Sequence, residues 1–181
     1  MMRWFALLVL VPLAACGGGG GGSGNQLGAG GGGGITDPGE LPVSGFARYN
    51  GFLTVNLPTA DGRAPYTGNL GLDVDFDAAA TQVTGQASGF TDGGGTNMRG
   101  RLAVTDGVID RKTNVASDYT LEAGISGTLS GDAFRNMVIT GTLLGDFNGQ
   151  NAETLRGQVF GDTIGPLGTD IFNGTFSAAT D

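Results

Sequence analysis

From Tyr119 to Ser130 the chain alternates without a break. Tyr119, Leu121, Ala123, Ile125, Gly127 and Leu129 fall on one side, and Thr120, Glu122, Gly124, Ser126, Thr128 and Ser130 on the other. Successive side chains of an extended strand point to opposite faces, so this pattern predicts a β-strand buried on one face. Residues 70–77 repeat it, with Leu70, Leu72, Val74 and Phe76 opposed by Gly71, Asp73, Asp75 and Asp77. Between 137 and 147, Met137, Ile139, Leu143 and Phe147 share a face with Gly141 and Gly145. Shorter strands are predicted near 44–57, 81–90, 98–105, 107–112, 154–160 and 171–178. Turn signals separate them: Asp61-Gly62, Asp92-Gly93-Gly94-Gly95, Asp106-Gly107, Gly131-Asp132 and Asp162. Asp106-Gly107, flanked by Leu102, Val104, Val108 and Ile109, reads as a two-residue hairpin loop. No window shows apolar residues at helical spacing bounded by caps. The body, from about Ser44 to Ala178, is therefore expected to be all-β and antiparallel.

A sandwich and a barrel both suit eight or nine short strands. The glycines favour the barrel. Gly127, Gly141, Gly145, Gly157 and Gly174 lie on the same face as the large apolar residues. Inward glycine marks sharp bends and crowded corners, which closing a small cylinder requires. The expectation is a single eight-stranded up-and-down β-barrel. A membrane-embedded barrel would turn its apolar face outward between aromatic girdles. Tyr49, Tyr66 and Tyr119 are too few for girdles, and Asp73, Asp75 and Asp77 make the polar face unsuited to lipid.

The first residues follow another rule. Arg3 precedes an apolar run from Trp4 to Leu13, followed by Ala14 and Ala15. This is the form of a signal peptide over residues 1–15, and a run of about ten residues is too short to span a bilayer. Leu13-Ala14-Ala15-Cys16 resembles the bacterial lipobox. The resemblance implies cleavage before Cys16, a lipid such as palmitate on that residue, and an outer-membrane destination, since Gly17 rather than Asp follows the cysteine. Residues 17–34 hold thirteen glycines in eighteen positions. Such a stretch buries too little apolar surface to offset its ordering entropy, so 16–43 is expected to be a lipidated, disordered tether. The folded domain is then 44–181.

Composition narrows the chemistry. The chain has 181 residues, no histidine, one cysteine and a formal net charge of −8. Without histidine there is no Ser-His-Asp or Cys-His nucleophile and no His-ligated zinc or haem. One cysteine makes no internal disulfide. Nine basic against seventeen acidic residues leave no footprint for nucleic acid. Asp73, Asp75 and Asp77 open like a calcium loop, but Ala78 and Thr84 stand where glycine and glutamate would be needed. A Ser-Lys dyad would depend on Lys112 alone. The residues therefore point to no catalytic group, no metal site and no cofactor.

Three stretches resemble the β-barrel of the transferrin-binding protein B family of surface lipoproteins. One is Phe147-Asn148-Gly149-Gln150-Asn151-Ala152-Glu153-Thr154-Leu155-Arg156-Gly157. It is similar to that family's hairpin, with Arg156 where the first of two glycines often stands. Another is Val74-Asp75-Phe76 followed by Val83-Thr84-Gly85, and the third is Tyr49-Asn50-Gly51. The closing strand Gly174-Thr175-Phe176-Ser177-Ala178 is compatible with the same pattern. The resemblance implies the barrel fold and the lipoprotein habit more than it implies transferrin as ligand. Independently of it, Asn148-Gly149 suits a turn and Asn151-Ala152-Glu153 one helical turn, within which Glu153 accepts backbone N–H bonds.

The functional expectation is a monomeric, lipid-anchored outer-membrane protein, on the periplasmic face or the cell surface, acting as a non-enzymatic binding module for a protein partner. Phe46 and Phe90, off the main apolar face, and Arg99 and Arg101 are its candidate contacts. Arg111, Lys112 and Arg135 would extend a basic patch if their hairpins are neighbours. Two alternatives stand beside it. One is a carrier of a small apolar ligand or haem in the barrel mouth, with Met98 and Met137 as the soft ligands, disfavoured if Leu72, Phe76, Leu121, Ile125 and Phe147 fill the interior. The other is a structural envelope lipoprotein without a ligand.

Overall fold

The computed structural model describes residues 33–116, 118–131 and 135–180. The expected signal peptide, Cys16 and most of the expected glycine-rich tether fall outside the described residues. Eight strands follow one another: β1 (Phe46–Thr59), β2 (Gly62–Asp75), β3 (Val83–Thr91), β4 (Arg99–Ile109), β5 (Leu121–Ser130), β6 (Met137–Asn148), β7 (Thr154–Gly165) and β8 (Gly168–Thr180). Each pairs antiparallel with the next, and β8 returns to β1 from Tyr49↔Thr180 to Asn56↔Asn173. The sheet is a closed up-and-down barrel. Closure pairs every strand on both sides and leaves no edge.

The alternation decides which side is inner. Leu121, Ala123, Ile125 and Leu129 of β5 are buried, as are Leu70, Leu72 and Val74 of β2. Glycines make room among them. Gly145 lies opposite Gly157 across β6 and β7, and Gly141 opposite Gly161. A Cβ built on Gly157 would stand 2.7 Å from Cε1 of Phe176, and one on Gly141 would stand 2.8 Å from Cζ of Phe172. The two β8 rings thus lie on bare backbone, where glycine lets the strands curve and the aromatic ring restores the lost packing. Among the described residues, the hydrophobic core cluster runs from Leu41 to Ala178. The barrel therefore carries its own core.

Three expectations are corrected by the ladder. Residues 98–105 and 107–112 are not two strands of a hairpin; they form the single strand β4. Asp106, at φ 56°, sits where the β4–β5 register shifts between Thr105 and Val108. Asp-Gly serves turns and bulges alike, because both need a positive φ. Phe90, expected outside, is fully buried. The β2–β3 register shifts between Thr67/Thr91 and Asn69/Ser88, with Gly89 at φ 68°, so β3 gains a residue and its parity reverses. The Phe90 ring then covers Gly68, 2.9 Å from where a Cβ would be. Tyr119 precedes β5 rather than joining its inner face. It is 38% exposed, and its hydroxyl accepts from Gln158 Nε2 at 2.9 Å.

Residues 35–42, expected to belong to a disordered linker, instead form a strap at one end of the barrel. Ile35 bridges to Asn148, and the Thr36 amide donates to the Phe147 carbonyl at 2.8 Å. A short 3-10 turn follows at Pro38–Glu40, begun by Asp37, which accepts from the Gly39 amide at 2.9 Å. Leu41 is then buried in the core. Arg111 holds the strap down, donating to the carbonyls of Leu41 and Pro42 while its guanidinium sits 5.9 Å from the Phe76 ring centroid. Up-and-down order places the β2–β3, β4–β5 and β6–β7 connections at this end. The other four connections form the far end.

Candidate functional site

The interior is occupied by side chains. Phe76 is 6% exposed, and Leu72, Leu121, Ile125 and Phe147 are exposed by 1% or less. Tyr49 packs edge-on against Phe147 with ring centroids 5.9 Å apart, and its hydroxyl donates to the Ala152 carbonyl at 2.7 Å. Burial, aided by the nearby charge of Glu153, pushes the phenol up to about 12. Filling at these positions counts against a ligand carried in the barrel mouth.

Two clefts lie at the far end instead. One, of about 400 Å³, runs between the β1–β2 and β7–β8 turns and is lined by Pro58, Arg63, Met137, Leu167 and Asp170 among others. The second, of about 610 Å³, lies between the β3–β4 and β5–β6 connections and is lined by Asn97, Arg99, Ser130 and Arg135 with Gly94 and Gly95. Asp92 shapes its wall. Its Oδ1 accepts from the amides of Thr96 at 2.7 Å and Gly94 at 2.9 Å, and these bonds, Thr96 foremost, hold its carboxyl below the usual range against some desolvation.

The outer wall carries apolar side chains on positions that alternation assigns to water. Ile171 is 62% exposed, Ile164 58%, Leu167 57%, Phe160 45% and Val138 43%. The register collects them. Val138 of β6 lies directly opposite Ile164 of β7, and Ile171 of β8 lies opposite Asp162, one diagonal step from both Phe160 and Ile164. Diagonal neighbours on one face lie about 7–8 Å apart, within reach of large side chains. Leu167 closes the group in the β7–β8 turn. Arg63 braces its rim, donating to Asp170 at 2.8 Å and to the Ile171 carbonyl at 2.7 Å. Contiguous exposed apolar patches mark interaction surfaces, whereas scattered apolar residues do not. Only the strand register shows that they meet.

The candidate contacts are scattered by the same register. Phe46 is exposed at the start of β1, near the strap end. Phe90 is in the core and touches no solvent. Arg99 and Arg101 project from β4 toward the far end, where Arg99 shares a cleft with Arg135. Arg111 and Lys112 lie at the opposite end, beyond the last residue of β4, so the five cations do not form one patch. The aspartates of the 73–77 run are engaged separately. Asp73 pairs with Arg48 at 2.7 Å, Asp75 accepts from the Asp77 amide, and Asp77 accepts from the Gly45 amide. Among the described residues, no three acidic or cysteine side chains are grouped to hold a metal ion. The helical turn expected over 151–153 does not form, because Ala152 takes φ 57°; Glu153 accepts from the Asn151 side chain at 3.5 Å, while its carbonyl takes the Thr180 amide at 2.9 Å.

No family model matches the chain, and no curated protein matches it. Among solved structures, it is similar to a point mutant of the vaccine antigen transferrin-binding protein B from Haemophilus parasuis Hp5. The identity is 18% and the TM-score 0.47, over 81% of this chain and 28% of that one. The chain thus spans little more than a quarter of that protein's length.

Proposed function

We propose that the protein is a lipid-anchored binding module of the bacterial outer membrane that captures a partner protein on the outside of its barrel. The observation that carries this reading is the contrast between a filled interior and an apolar outer wall. A carrier needs space on the axis; a docking module needs apolar side chains left open to water, and Val138, Phe160, Ile164, Leu167 and Ile171 are open on one stretch of wall. The chain enters the barrel at the strap end, where the Gly149 amide donates to the Gly34 carbonyl at 3.1 Å.

Two measurements test the reading. Mass spectrometry of the mature product should find Cys16 acylated and N-terminal; an unmodified cysteine rejects the anchor. Immobilised 33–181 chain should retain a partner from its native surroundings, and the double substitution Ile164→Asp/Ile171→Asp should release it without unfolding the barrel. Equal retention by both proteins rejects the wall as the docking face.

A further inference from the structure

The arginines of the barrel wall fall into two groups, and the difference identifies the chemistry of the partner. Arg48 lies opposite Asp73 in the β1–β2 ladder and pairs with it, Arg156 lies opposite Asp146 in the β6–β7 ladder, and Arg63 pairs with Asp170. Each thus has an acid beside it. Among the described residues, Arg99 and Arg101 do not. Arg99 faces Ser130, and Arg101 lies between Ser88 of β3 and Thr128 of β5. Among the described residues neither ion-pairs with a carboxylate, and both are exposed. Asp92, in the β3–β4 connection, accepts from the amides of its own turn. Alternate residues of one strand share a face, so the two arginines stand on the same outer face with hydroxyl residues as their cross-strand neighbours.

The same register joins this group to the apolar wall. Arg101 of β4 lies opposite Thr128 of β5, Thr128 opposite Val138 of β6, and Val138 opposite Ile164 of β7. Neighbouring strands are about 4.8 Å apart, so cations and apolar residues are separated by about 14 Å of continuous wall. Resting on the binding-module reading, we propose that this wall takes a protein segment in which carboxylates alternate with apolar side chains, its acids on Arg99 and Arg101 and its apolar residues on Val138 and Ile164. Arginine suits this use because its planar fork meets a carboxylate with two parallel hydrogen bonds. A long polyanion or an anionic membrane is a poorer occupant. The net charge of −8 repels it beyond the contact, while a short acidic segment feels mainly the two arginines within a screening length of about 8 Å.

The test is an NMR titration of the 33–181 chain with a synthetic peptide of Glu-Leu-Ser repeats, alongside a Lys-Leu-Ser peptide and vesicles of anionic phospholipid. Saturable shifts from the Glu peptide at Arg99, Arg101, Thr128, Val138 and Ile164 are expected. They should weaken about tenfold in Arg99→Glu/Arg101→Glu, in keeping with two lost exposed pairs and the repulsion that replaces them. An absence of shifts at millimolar peptide, equal shifts from the Lys peptide, indifference to the double substitution, or binding to the vesicles in its place would each overturn the proposal. The parent reading is judged separately. If Ile164→Asp/Ile171→Asp still releases the native partner while the Glu peptide fails, the wall docks a partner of other chemistry.

Discussion

Gly157→Ala adds one methyl to the inner face of β7, at a place where nothing can move aside cheaply. The new carbon would stand 2.6 Å from the Gly145 Cα and 2.7 Å from Cε1 of Phe176, and closer still to the Leu144 carbonyl oxygen. Two of these neighbours are backbone of a paired strand, so relief requires spreading β6 from β7 or tilting the Phe176 ring out of the core. Overpacking a well-filled interior costs about 1–3 kcal/mol, and a backbone clash belongs at the upper end. For a domain of this size about 2–4 °C of Tm is lost per kcal/mol, so Tm should fall by about 10 °C. Gly71→Ala is the matched control. There the nearest atom to the new carbon is Asn50 Oδ1 at 3.7 Å, an ordinary contact. Alanine also restricts the unfolded chain, so the change should be neutral or stabilise by up to about 1 kcal/mol. Thermal unfolding of both variants, followed by far-UV circular dichroism, reads the difference directly. A Gly157→Ala protein melting within about 2 °C of wild type would refute the claim that ring and glycine share one volume.

Phe90→Ala should cost about 3–5 kcal/mol in denaturant unfolding, whereas Phe46→Ala should stay within about 0.5 kcal/mol; reversed values would restore the simple alternation of β3. The Tyr49 phenol, at about 12 in the folded chain against an unfolded value of 10.0, is held in its neutral form by the fold. Its contribution is therefore complete below pH 10 and is lost as pH climbs toward 12. Stability measured across that window should decline, less steeply in Tyr49→Phe, and an identical slope in both proteins would reject the buried phenol. Arg111→Ala removes the donor to the Leu41 and Pro42 carbonyls. Limited proteolysis should then cut within 35–45 well before the barrel; unchanged resistance would mean that Leu41 alone seats the strap.

Much of the fold was legible because a one-sided strand has a period of two and a small barrel needs glycine on its inner face. Leu121 to Leu129 and Leu70 to Val74 went inside as their alternation requires. What parity could not reveal was where it changes. A bulge inserts one residue and exchanges the faces of all that follows, so Phe90 moved from wall to core on the strength of Gly89. Asp106-Gly107 was ambiguous for a related reason, since the same backbone freedom ends a strand or merely kinks it. The strap was hidden because its hold comes from long-range partners, Phe147 and Arg111, with no local signal. The basic group divided for reasons of topology: Arg99 and Arg111 mark the two ends of one strand, a barrel's height apart. The apolar wall lies between these cases. Val138, Phe160 and Ile171 fall off the apolar parity of their predicted strands, whereas Ile164 lies beyond the predicted end of its strand; whether they form a surface depends on the pairing of β6, β7 and β8.

The central claim, a barrel sealed within and apolar on one outer wall, is tested most directly by methyl NMR of the 33–181 chain with a soluble paramagnetic agent. The methyls of Val138, Ile164 and Ile171 should be broadened strongly, and those of Leu72, Ile125 and Leu143 should remain sharp. Shielded Ile164 and Ile171 beside broadened Ile125 would mean that the faces are exchanged, and with them the site.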